Sequence, residues 1–136
     1  MPPAVERLTS GRFVERIPSG QEVPPAERIY AGGRHGINAR IYGCPWVLVW
    51  AGHEKPLRHH VLHSPTGFEW GYGGSGPAHL ALAILADATE DLELARELHQ
   101  RYKWDVVCKL PHDGWTIRRS AVLAWVEAQG EGRADG

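Results

Sequence analysis

The sequence predicts a single α+β domain, a small antiparallel β-meander packed against two or three helices. Three observations carry this. The 136 residues suffice for one hydrophobic core and are too few for two. Between residues 28 and 71, β-rich runs alternate with turn residues. From Ala78 onward the spacing changes to that of helices, and the first helical run is apolar on nearly every side.

Taken in order, residues 1–27 read as a proline-rich arm. Pro2, Pro3, Pro18, Pro24 and Pro25 interrupt regular structure, with room for a short element around Leu8–Ile17. Ile29 and Tyr30 start the domain, and Gly32-Gly33-Arg34-His35-Gly36 reads as a turn. Ile37, Ala39 and Ile41 alternate with Asn38, Arg40 and Tyr42, the period of a half-buried strand. Trp46–Trp50 is a second strand and Leu57–His63 a third. Phe68, Trp70 and Tyr72 alternate as strand residues would. A helix is expected over Ala78–Ala88, with Pro77 at its first position and Ser75 or Gly76 as its cap. A second helix starts near Thr89–Asp91, carries Leu94, Leu98 and Tyr102 on one face, and must stop by Pro111. Trp115–Ile117 is a short extended segment, Ser120–Ala128 a last helix, and residues 129–136 a disordered tail. Trp70, Trp104 and Trp125 are expected in the core. Trp46, Trp50 and Trp115 suit either core or an interaction surface.

Composition narrows the function classes. Fifteen basic and sixteen acidic residues give a net charge of -1, which weighs against a general electrostatic grip on nucleic acid. The longest apolar run, Ala78–Ala86, is half of what a membrane span needs. No secretory leader is read, so the expected setting is cytoplasmic, with Cys44 and Cys108 as free buried thiols.

Glycine concentrates in one place: five fall between Gly67 and Gly76, directly ahead of the apolar helix. This stretch reads in two ways. It is a tight crossover packed by its own aromatics, or it is an anion site. In the second reading Gly73, Gly74, Ser75 and Gly76 present backbone N–H groups at a helix N-terminus, and Arg34 and Arg40 approach from the sheet. Neither the phosphate-loop pattern, which needs Lys-Ser or Lys-Thr after the glycines, nor the dinucleotide fingerprint is present.

The run from Phe68 to Ala78, continued by Leu80-Ala81-Leu82-Ala83, resembles the signature of the DUF6166 family. Tyr30–Gly36, His63–Gly67, Tyr102-Lys103-Trp104 and the segment from Leu110 to Trp115 extend the likeness across roughly residues 28–126. The resemblance implies no activity. It implies a role in bacteria, archaea and their phages, as an accessory of a phage or mobile element.

Eight histidines are many for this length. His53, His59, His60 and His63 cluster near Cys44 and Glu54. Polar strand and turn residues account for them more simply than a metal site does, and no metal or cofactor is expected. His63 and Glu69 flank the Ser64-Pro65-Thr66-Gly67 turn. If burial between Phe68 and Trp70 raises its pKa, Glu69 forms with His63 an acid/base pair beside the loop. Otherwise Glu69 caps backbone groups or pairs with an arginine.

The leading expectation is therefore a binding or adaptor module. It would take a protein or a phosphorylated small molecule at the glycine-rich loop. The alternative is a small hydrolase or transferase acting on a nucleotide or phosphoester through His63 and Glu69. Local nucleic-acid binding through Arg34, Arg40 and the arm comes after both.

Overall fold

The computed structural model describes residues 5–6, 27–60 and 67–134. The order of elements is β1 (Val5–Glu6), β2 (Ile29–Gly33), α1 (Ile37–Tyr42), β3 (Trp46–Trp50), β4 (Glu54–Pro56), α2 (Ser75–Thr89), α3 (Leu92–Asp105), a 3-10 turn (Val107–Lys109), β5 (Gly114–Arg118) and α4 (Arg119–Ala134). The strands form one antiparallel sheet in the order β1-β5-β2-β3-β4, and the fold is α+β.

The sheet is not confined to residues 28–71. β5, from near the C-terminus, lies between β1 and β2, in register from Ile29 opposite Arg118 to Gly33 opposite Gly114. The segment from Gly67 to Trp70 adds no strand; Phe68 and Trp70 are buried beneath the helices, and Tyr72 points away from the core.

Two of the expected turn glycines belong to β2 instead. Gly32 and Gly33 face opposite sides of the sheet, because successive strand residues alternate. A Cβ on Gly32 would lie 2.5 Å from Trp115 Cζ2, and one on Gly33 2.3 Å from Trp46 Cζ2. Each missing side chain thus makes room for one buried indole, Trp115 and Trp46.

The strand expected over Ile37–Tyr42 is the helix α1. Ile37 and Ile41 are two strand positions apart twice over, but they are also one helical turn apart, and so short a run satisfies both periods. The helix buries Asn38 and leaves Ile37, Ile41 and Tyr42 exposed. The expected strand Leu57–His63 also shifts. β4 ends at Pro56, which lacks an N–H and is suited to this sheet edge. Leu57 is buried but lies outside the strand, and residues 61–63 lie outside the described residues.

α2 is the centre of the packing. Leu80 through Ala86 are all buried, as its apolar composition demands. It starts earlier than expected, with Gly74 as its N-cap and no side-chain cap bond. Its C-terminal end is held by cations. Arg28 donates to the Asp87 carbonyl at 2.9 Å and to its carboxylate at 3.2 Å, and Arg119 donates to the Ala88 carbonyl at 2.8 Å. The Tyr30 hydroxyl, fully buried, donates to Asp87 Oδ2 at 2.6 Å.

α3 starts where its acidic residues indicate. Asp91 is the N-cap, and its Oδ1 accepts from the Leu94 N–H at 3.1 Å. Replacing Asp91→Ala is expected to cost about 1 kcal/mol in denaturant unfolding, with Asp91→Asn recovering most of it. α3 stops at Asp105 and gives way to the 3-10 turn before Pro111. α4 runs to Ala134, well past the expected Ala128. Among the described residues no helix is long and apolar enough to cross a membrane.

Candidate functional site

The glycine-rich loop joins Trp70 to α2 and lies against the end of α3. Its N-terminal side is fixed by the Gly71 N–H, which donates to the Val107 carbonyl at 3.0 Å. On the inner side stands an ion pair. Arg34 leaves the end of β2 and reaches Glu69 through both terminal nitrogens, at 2.7 Å and 3.2 Å. Its Nε donates to the His112 carbonyl at 2.9 Å, and its guanidinium carbon lies 4.4 Å from the Trp70 ring centroid. The Trp70 indole N–H donates to the same carbonyl at 3.0 Å. Arg34 and Glu69 side chains are only 12% and 23% exposed. The guanidinium is thus used on all three nitrogens and stacked on an indole.

This arrangement decides between the two readings of Glu69, for the arginine pair and against the raised pKa. Hydrogen bonding from Arg34 holds the Glu69 carboxyl below the usual carboxylate range, against the opposing effect of burial. The pKa is lowered, not raised. Glu69 is a carboxylate committed to Arg34. Its expected partner His63 lies outside the described residues. Arg40 sits on the exposed side of α1, a helix that packs on β3, and does not join the loop through a strand.

The glycines have a second use. A Cβ on Gly73 would lie 2.3 Å from Trp104 Cη2, and one on Gly74 2.7 Å from Tyr72 Cε2. Two aromatic rings therefore rest directly on the loop backbone. Both rings are open to solvent, Tyr72 by 51% and Trp104 by 56%. The Lys103 ammonium stands 4.3 Å from the Trp104 ring centroid. Gly76 is buried and its missing Cβ makes room for Glu69 Cβ, while Ser75 is exposed and makes no capping bond.

Trp104 was expected in the core, and its position on α3 explains why it is not. Leu98 and Tyr102 mark the buried face. Two residues further along, the side chain is turned by about 200° to the opposite face. The signal was in the spacing of four, which fixed the core face and hence the outward direction of Trp104.

The histidines come together only in part. His59 stacks on Phe68 at 3.8 Å between centroids, and its Nδ1 lies 3.3 Å from Nε2 of the buried His79. Burial holds both imidazoles below the usual range. Among the described residues no three His, Cys, Asp or Glu side chains are arranged to hold a metal ion. The two cysteines are free, Cys44 being exposed and Cys108 half-buried.

A family profile described as "Family of unknown function (DUF6166)" matches residues 30–128. The chain belongs to the DUF6166 family. The match covers β2 through most of α4 and so includes the Arg34–Glu69 pair, the glycine-rich loop and both exposed aromatics of this DUF6166 domain. No curated protein and no solved structure matches the chain.

Proposed function

We propose that this DUF6166 domain is a binding module, with the glycine-rich loop as its contact surface and a protein as its partner. The observation that carries this is the pair of exposed rings, Tyr72 and Trp104, seated on glycine backbone. Exposing an indole and a phenol over neighbouring glycines of one loop forgoes the free energy of burying them. Residues of these two types carry a large share of binding energy at protein interfaces. Seated on glycines, they are also restrained before a partner arrives, so little side-chain entropy is lost on contact.

The charged groups support the same choice. A phosphorylated ligand at the α2 N-terminus would want Arg34, and Arg34 is already paired with Glu69. Hydrolysis or transfer would want Glu69 as an acid, and its pKa is shifted the other way.

The test is a paired affinity purification from host cells with the parent chain and Tyr72→Ala/Trp104→Ala. The parent is expected to retain a partner that the double variant loses by at least a hundredfold, since two anchors of about 2 kcal/mol are removed. The melting temperature should move little, because both rings are half in solvent. Equal capture by both chains would refute the proposal. Saturable binding of inorganic phosphate at the loop, weakened by Ser75→Ala, would favour the anion reading instead.

A further inference from the structure

A cleft lies beside the 3-10 turn. α3, the turn, β5 and α4 enclose its volume of about 420 Å³. Its walls are apolar: Val106, Leu110, Ile117, Ala121 and Trp125. Leu110 and Ile117 are buried and close its floor. The volume falls within the range of small-molecule pockets and near its lower end, which suits one ring better than a length of peptide.

Three polar groups line this cleft, and their bonding state makes it more than a surface dent. Tyr102 is 1% exposed. Its hydroxyl has no hydrogen-bond partner among the described residues, and burial alone pushes its phenol up. A hydroxyl that none of the fold's own hydrogen bonds engages can donate to a ligand acceptor without a native bond being broken. Asp105 accepts the Trp125 indole N–H at 3.0 Å through Oδ2, which leaves its second oxygen for another donor. The Tyr102 and Trp125 rings meet edge to face, 4.9 Å between centroids, and form an aromatic corner. Lys109 supplies a cation to balance Asp105, so the lining carries no net charge.

We infer that this cleft binds a small, neutral, planar molecule whose edge carries a carbonyl acceptor beside an N–H donor, the chemistry of an aromatic carboxamide. The ring lies against Trp125 and Ile117. The carbonyl accepts from Tyr102, and the N–H donates to Asp105.

Benzamide is the probe. With the full chain labelled with nitrogen-15, the Trp125 indole N–H resonance is followed as benzamide is added. A saturable shift in the millimolar range is expected for so small a ligand. Tyr102→Phe keeps the ring and removes only the hydroxyl. It is expected to weaken benzamide roughly tenfold and to melt no lower than the parent, since the hydroxyl has no partner to lose. Ala121→Leu fills the cleft from α4 and should abolish the shift while the remaining spectrum stays folded. The inference is overturned by an unmoved Trp125 resonance in the parent, or by equal benzamide affinity in Tyr102→Phe. A fall in the melting temperature of Tyr102→Phe also overturns it, because the hydroxyl would then be serving the fold.

Discussion

Gly32→Ala is expected to destabilise the domain by about 3 kcal/mol, the upper end of what overpacking a core costs. The new Cβ would meet the Trp115 indole at 2.5–2.8 Å on three atoms. Trp115 is fully buried on a sheet face covered by helices, and Trp70 is set edge to face against it at 5.6 Å, so the ring has nowhere to move. In an unstrained strand, alanine would instead be favoured over glycine by about half a kcal/mol or more, so the sign of the effect is itself informative. Urea unfolding checks it. A domain held by about 5–15 kcal/mol loses a large part of its margin to such a change. Trp115→Leu alone leaves a cavity and is also costly, by about 3 kcal/mol. The double variant Gly32→Ala/Trp115→Leu should nonetheless be less unstable than the sum, because the smaller side chain yields the space that the methyl needs.

Arg34→Met is the second large effect, expected at about 2 kcal/mol. It leaves Glu69 partly buried without its partner and removes one of the two donors to the His112 carbonyl. The figure stays below that of a fully buried pair because both side chains keep some contact with water. Glu69→Gln should cost less, since a neutral amide still accepts from Arg34. The pH dependence follows from the same pair. A carboxylate whose folded pKa is lowered contributes stability that is complete above the unfolded value and is lost as pH falls through the folded one. The parent should therefore lose stability as pH falls below the ordinary carboxylate value of 4.5. His59 and His79 have lowered values too, through burial, so they remove stability earlier, as pH falls from 6.5. Glu69→Gln is expected to flatten the more acidic limb and leave the histidine limb in place. Urea midpoints measured from pH 7 to pH 3 on both chains would show it. Identical curves would mean that Arg34 does not hold Glu69 in solution.

What the sequence disclosed depended on whether a signal was local. The buried helix was plain, because Leu80, Leu82, Ile84 and Leu85 interleaved with alanines leave no polar face. The start of α3 near Thr89–Asp91 was plain too, since the acidic residues there and the following spacing of four agree. β5 was legible as an extended segment, but its place between β1 and β2 was not. That pairing joins residues more than eighty positions apart, and no local pattern encodes it. α1 was misread because six residues carry too little periodicity to separate a strand from a helix.

The glycine cluster was legible as a loop ahead of α2, and the contacts of that loop were not. Arg34 and Glu69 were both singled out, Arg34 for an anion and Glu69 either for proton transfer or for pairing with an unspecified arginine. They lie 35 positions apart, and only the fold shows that each is the other's partner. The glycines read either as a crossover packed by its own aromatics or as room for an anion. Gly74 seats the loop's own Tyr72, and Gly73 seats Trp104 from α3, which the loop's own residues could not announce. The outward face of Trp104 could have been read from Leu98 and Tyr102, but the expectation that tryptophans fill cores prevailed.

We propose that labour is divided at the loop: the charged pair holds the fold and the exposed rings make the contact. Glu69→Gln and Trp104→Ala, carried through the same unfolding titration and the same partner capture, test it most directly. A crossed result is expected. Glu69→Gln shifts the acid unfolding midpoint and keeps the partner, while Trp104→Ala keeps the midpoint and loses the partner. A Glu69→Gln chain of unchanged acid stability that has lost its partner, beside a Trp104→Ala chain that retains it, would contradict the account.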